Sequence, residues 1–174
     1  FASYSIMDAI IFIICLVLSS FKEKTVNKRT IVSSMNYKKY NRELLLASLG
    51  YSVVLWVFFI LLGIIILGTI MFTSRGLVYM LNSFVFTFCC LTIALFISTL
   101  VTNKNAVSGI VNVVALGSSF LCGAFVPAEW LPNYVLTFAH ILPTYWYINS
   151  NDLLKTIEVI DFNSLQPIFI NVLV

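Results

Sequence analysis

Long uncharged apolar runs alternate along the chain with short polar interruptions. Residues 1–21 are apolar apart from Asp8, and residues 44–74, 77–103 and 105–128 carry no charged side chain. A helix rises about 1.5 Å per residue and the hydrocarbon layer of a bilayer is about 30 Å thick, so about 20 apolar residues suffice to cross it. The pattern predicts four complete transmembrane helices, over 1–21, 44–74, 77–103 and 105–125, and a truncated last one beginning over 165–174. The chain opens on an apolar Phe1 without an initiator Met and closes within an apolar run at Val174, which reads as a piece of a longer membrane protein. The first run is no signal peptide, because the basic residues follow it.

Between the fourth and last spans the pattern changes. Pro127, Pro132 and Pro143 interrupt residues 126–147, and Glu129, Asn133 and His140 fall among them. Prolines at this spacing cut a helix into pieces of about ten residues, too short to span, which fits a re-entrant or interfacial hairpin. Pro127 and Pro143 suit the first turns of such short helices. Gly123, just before, permits a bend or close packing. Trp130, Tyr134, Tyr145, Trp146 and Tyr147 are the residue types that favour the headgroup level. Residues 148–164, with Asp152, Lys155, Glu158 and Asp161, read as an outer loop. The fold class is therefore all-α: a polytopic helical membrane protein with a proline-broken re-entrant outer hairpin.

Composition supports that reading. Of the 174 residues 60% are hydrophobic and 10% are charged, against about 25% charged in a soluble domain. Charge distribution adds a direction. Seven of the ten Lys and Arg residues lie between Lys22 and Arg42, offset only by Glu23 and Glu43. Such a cluster beside apolar spans marks the cytoplasmic face. Residues 22–43 and Lys104 are then inside, and residues 126–164 outside. A short patch between two spans is a poor nucleic-acid surface.

Several chemistries have no residues to support them. No glycine precedes a lysine, so there is no phosphate-binding loop. No metal-ligand cluster is spelled out, and Cys15, Cys89, Cys90 and Cys122 read as buried thiols. Asp8 is the one ionisable group within the complete spans, where an ion-coupled transporter usually keeps several. Cys90, Ala94, Ser98 and Thr102 recur every four residues, as do Ala115, Ser119 and Gly123. Small residues so spaced let helices approach closely, within one subunit or at a dimer seam. Asn112, about a third of the way into its span, either lines a substrate path or bonds a neighbouring helix. Glu129 is a first-turn acid or a contact for a cationic substrate at the outer side.

Two stretches carry a family resemblance. The first runs from Phe21-Lys22-Glu23-Lys24-Thr25 through Arg29 and Val32-Ser33-Ser34-Met35-Asn36-Tyr37 to Arg42-Glu43-Leu44. On composition alone it is a positive-inside loop with an amphipathic surface helix. Its order resembles the cytoplasmic segment of type 2 ABC exporter permeases. The second is Phe120-Leu121-Cys122-Gly123-Ala124-Phe125-Val126-Pro127-Ala128-Glu129-Trp130-Leu131-Pro132, followed by Ile141-Leu142-Pro143-Thr144-Tyr145-Trp146. It resembles the same family's outer hairpin, with its Pro-x-x-x-x-Pro and a further proline downstream.

The resemblance implies a permease subunit that is not itself an enzyme and holds no cofactor, ATP and Mg belonging to a partner ATPase. It implies that Glu23, Thr25, Arg29, Ser33, Ser34, Met35, Asn36 and Tyr37 couple to that ATPase. It further implies that Gly123, Pro127, Glu129, Trp130, Pro132 and Pro143 build the outer gate, that two permease subunits enclose the path, and that the assembly sits in the plasma membrane. An ion-coupled secondary transporter and a non-transporting membrane scaffold subunit remain as alternatives.

Overall fold

The apolar side of the first helix has the spacing of a buried helical stripe. In α1 (Ala2–Phe21) Ser3, Ile6, Met7, Ile10, Ile11, Ile14, Cys15, Leu18 and Ser19 are all buried, three or four residues apart as one helical face requires. A computed structural model of the chain describes residues 2–22, 37–101, 104–126 and 130–156. Its elements are α1, α2 (Tyr37–Leu67), a 3-10 helix (Gly68–Phe72), α3 (Ser74–Leu100), α4 (Lys104–Leu121), α5 (Asn133–Ala139) and α6 (Pro143–Thr156), with no strand among the described residues.

The core forms where α1 meets α3 and α4. Ile10, Ile11 and Cys15 pack with Phe86, Cys90 and Ala94 of α3 and with Val107, Val111 and Ala115 of α4. The small residues at four-residue spacing serve this packing. Cys90, Ala94, Ser98, Ala115 and Ser119 are buried inside the protomer, and the Cys15 thiol donates to the Ala94 carbonyl at 3.4 Å. Farther along, Ser19 Oγ donates to the Val101 carbonyl at 3.5 Å and the Lys22 ammonium donates to the Ser98 carbonyl. These pairings run α1 and α3 side by side in the same direction.

Among the described residues three helices are long and apolar enough to cross a membrane, Ala2–Phe21, Lys38–Leu67 and Ser74–Leu100. The protein is membrane-embedded. The fourth expected span is the shorter α4, 18 residues and thus about 27 Å long. Residues 165–174 lie outside the described residues. Only 6% of the most apolar stretch of α2 is buried, against 44% for α1 and α3. Among the described residues α2 is therefore the outlying helix, with most of its apolar surface left uncovered by them. It is pinned by Trp56, whose indole N–H donates to Ser83 Oγ at 3.0 Å, and by Tyr51, whose hydroxyl donates to the Ala9 carbonyl at 3.4 Å.

Element boundaries depart from the apolar runs in three places. α2 begins at Tyr37, so residues 37–43, read as part of a loop, are helical. The turn between α2 and α3 falls at 68–73, where Gly68 has φ +60°, and not at Arg75-Gly76, which sit in the first turn of α3. Gly76 is needed there for another reason. A Cβ at this position would stand 2.1 Å from the Met71 carbonyl oxygen. Finally, α6 continues to Thr156, through residues read as an outer loop. Ser150 and Leu154 turn into the bundle, while Asp152 and Lys155 face out and pair at 2.6 Å. Both are more than half exposed, so the pair adds little stability. The hydrogen bond that the Lys155 ammonium donates to Asp152 raises its pKa above the ordinary value.

Candidate functional site

α5 and α6 form a hairpin that starts where α4 stops. The Cys122 N–H bonds the Ser118 carbonyl at 2.9 Å and the Ala124 N–H reaches back to the Ser119 carbonyl at 3.0 Å. Between them Gly123 has φ +89°. This is the glycine-capped helix end in which the residue after the cap turns left-handed. Gly123 thus redirects the chain. Pro132 caps α5 with extended backbone (φ −62°, ψ 147°), and Pro143 is the first residue of α6, where a missing N–H costs nothing. Trp130 stands exposed before Pro132. Pro127 and Glu129 lie outside the described residues.

The bend between α5 and α6 is built from rings. His140 Nδ1 meets the Leu136 carbonyl, and the Trp146 indole donates to the His140 carbonyl at 2.8 Å. The His140 ring lies 4.3 Å from Tyr145 and 5.7 Å from Trp146, centroid to centroid. A cleft of about 380 Å³ opens between this bend and α3, with Asn82, Cys89, Thr92, His140, Trp146 and Tyr147 on its walls. Cys89 and Thr92 are well down the length of α3, so the hairpin re-enters the bundle and does not lie flat across its end.

α6 is held to α3 by polar contacts that sequence reasoning missed. Asn82, 4% exposed, donates to the Tyr147 carbonyl at 3.2 Å and to Asn151 Oδ1 at 2.8 Å. The Tyr79 hydroxyl donates to the Asn151 carbonyl at 3.2 Å. Phe86 stacks on Tyr147 at 4.5 Å and 21°. Asn82, an amide within an uncharged apolar run, was the available signal, because buried amides must find partners. Met7 gave no signal at all. Its thioether accepts Ser118 Oγ of α4 at 3.3 Å and Thr144 Oγ1 of α6 at 3.5 Å, so α1, α4 and the start of α6 meet at one sulfur.

At the opposite end the chain enters and leaves the basic segment. Phe21 and Tyr40 meet edge to face, 6.3 Å apart and at 83°, so the end of α1 touches the start of α2. Glu23, Thr25, Arg29, Ser33, Ser34, Met35 and Asn36 lie outside the described residues. Tyr37 is the first residue of α2. Asn112 sits at the middle of α4, not near its beginning, and is exposed. Its neighbour Val111 is buried against the core. Asn112 makes no hydrogen bond to another described residue.

Among the described residues no three His, Cys, Asp or Glu side chains gather as a metal site, and the four cysteines are unpaired. The arrangement offers a membrane bundle whose central helix connects a basic end to a re-entrant hairpin.

No curated protein and no solved structure matches the chain. A family model described as ABC-2 type transporter matches residues 1–151, which takes in α1 to α5 and most of α6. The chain therefore belongs to the ABC-2 type transporter family, as a membrane permease component of an ABC transporter.

Proposed function

We propose that this chain is the permease subunit of an ABC exporter, forming the translocation path with a second permease subunit and driven by a separate ATPase subunit. The observation that carries the reading is the placement of α1. With α3 it is one of the two most enclosed long helices among the described residues, it leads at one end into the basic segment, and at the other its Met7 bonds α4 and α6. A push on the basic segment is delivered to α1 directly and reaches the hairpin through packed side chains. In this reading residues 22–43 and Lys104 face the cytoplasm of the cell, and residues 126–164 face outward. The segment Glu23 to Tyr37 docks on the ATPase, which binds ATP and Mg and carries out the hydrolysis; the permease itself is not an enzyme. Asn112, exposed at mid-height of α4, faces the path or the second subunit.

The test is purification of the full-length protein in mild detergent, with and without residues 29–37 replaced by alanine. An ATP-hydrolysing subunit is expected to accompany the parent and to be lost from the variant, together with substrate-dependent ATPase activity. An ATPase absent from both preparations refutes the coupling and favours a scaffold or an ion-coupled carrier.

A further inference from the structure

Lys22 closes two helices at once. Its backbone N–H reaches back to the Leu18 and Ser19 carbonyls, each at 3.2 Å, and ends α1. Its ammonium donates to the Ser98 carbonyl in the last turn of α3. The carbonyls of a last turn have no partner within their own helix, and the Val101 N–H is spent on Ile97 at 3.0 Å. α1 and α3 run in the same direction, so both bring the negative ends of their dipoles to this face, where a cation is favoured. One turn earlier Ser19 Oγ donates to the Val101 carbonyl at 3.5 Å. Two side chains thus tie the root of the basic segment to the end of α3.

α3 is tied again toward its other end, to the second arm of the hairpin. Asn82 donates to Asn151 and to the Tyr147 carbonyl of α6, and Tyr79 to the Asn151 carbonyl. The stretch of α3 between Asn82 and Ser98 is about 24 Å long at about 1.5 Å per residue. It is packed along its length, with Phe86, Cys90 and Ala94 buried against α1 and α4. α3 is therefore a rod with one polar joint at the basic segment and another at the hairpin.

We propose that Lys22 is a positioning residue for transport: it joins the basic segment to α3, and α3 carries a movement of that segment to α6. The proposal rests on the exporter reading and adds a second route to the one through α1 and Met7. The Lys22 joint is made by an ammonium alone. Its removal leaves the apolar packing of α1 on α3 in place and takes away the grip on the end of the rod. A lysine that only capped α3 would add stability and leave the response of the hairpin to ATP unchanged.

The experiment uses the full-length permease purified with its ATPase subunit in mild detergent. Lys155 is exposed near the end of α6 and its pair with Asp152 adds little, so Lys155→Cys carries a polar, environment-sensitive fluorophore. The readout is the change of its emission when ATP and orthovanadate trap the ATPase, compared at equal amounts of bound ATPase. Lys22→Met is expected to reduce that change at least about twofold, as substitutions along a coupling network do. Lys22→Arg, which keeps the charge and the donors, retains it. Lys39→Met removes a cation of α2 and leaves it unaltered. Lys22→Met with Asn82→Ala is expected to lose no more than the more damaging single change, because both sit on one route. If Lys22→Met does not assemble, Lys22→Gln is read in its place. A full response without the ammonium, an arginine variant as damaged as the methionine one, equal damage in Lys39→Met, or additive losses with Asn82→Ala overturns the proposal and leaves the exporter reading standing. So does a label that stays silent in a parent complex that holds its ATPase. A parent that brings down no ATPase overturns both.

Discussion

The side-chain amide of Asn82 reaches Asn151 Oδ1 at 2.8 Å and the Tyr147 carbonyl at 3.2 Å, so a single buried residue of α3 holds two successive turns of α6. Backbone carbonyls inside a helix already have partners, and the second bond to Tyr147 is additional. The amide pair is what sets the register of the hairpin's second arm. Around it, the Phe86 ring lies against Tyr147 and the Tyr79 hydroxyl completes the contact at Asn151.

Asn82→Ala is therefore expected to destabilise the docked hairpin by about 0.5–2 kcal/mol, the range measured for side-chain hydrogen bonds between membrane helices and for buried bonds generally. Thermal unfolding in detergent reads the loss. The decisive form is a double-mutant cycle with Asn151→Ala. The two substitutions together should cost less than their sum, and strict additivity would show that the pair is not coupled.

The turn between α2 and α3 gives a second expectation. Gly76 lies so close to the Met71 backbone that an added Cβ would come within 2.1 Å of its carbonyl oxygen, whereas at Gly109 and Gly117 of α4 a Cβ meets nothing within 4 Å. Gly76→Ala must displace backbone, and overpacking of this kind costs about 1–3 kcal/mol or more. Gly109→Ala and Gly117→Ala are expected to be neutral or slightly stabilising, because alanine is the better helix former by about 1 kcal/mol. Thermal midpoints of the three variants, measured side by side, decide the matter.

Met7 separates packing from hydrogen bonding. Met7→Leu keeps the volume and removes the sulfur acceptor; Ser118 Oγ retains its bond to the Val114 carbonyl at 2.5 Å. The substitution is expected to cost under about 1.5 kcal/mol. Met7→Ala opens a cavity at a residue 1% exposed and is expected to cost about 2–5 kcal/mol. If the two variants prove equally stable in thermal unfolding, α1, α4 and α6 do not pack through this side chain.

Apolar run length made the spans legible, because the bilayer sets a minimum that few other structures need. Where a run ends was less legible. Arg75 drew the expected turn toward itself, yet a single arginine at a helix start is compatible with α3, and the backbone sign of the turn was Gly68 with its positive φ. Pro143 was readable, since it falls at a helix start where φ and the missing N–H fit; Pro127, expected at another such start, lies outside the described residues, and it is Pro132 that caps α5. The extension of α6 to Thr156 was not, because Asn151, Asp152 and Lys155 look like a loop until Ser150 and Leu154 are seen to turn inward. The joint at Met7 was hidden for a different reason: it joins residues 111 and 137 positions apart, and no local pattern carries that distance.

Asn112 supplies the expectation that bears most directly on transport. It is exposed on α4 and has no hydrogen-bond partner among the described residues, so Asn112→Ala removes no hydrogen bond to a described residue and should change stability by less than about 0.5 kcal/mol. A polar side chain at mid-height of an apolar helix still loses its hydration in lipid. Its persistence there is explained if it faces a water-lined path or a second subunit. In the assembled transporter, Asn112→Ala is thus expected to change substrate-stimulated ATPase activity while the thermal midpoint stays put. Asn112→Cys is expected to react with a membrane-impermeant thiol reagent if the position is wet, and to form a disulfide between subunits if it sits at the seam. A silent alanine variant whose cysteine counterpart neither reacts nor cross-links would place Asn112 against lipid and remove it from the path.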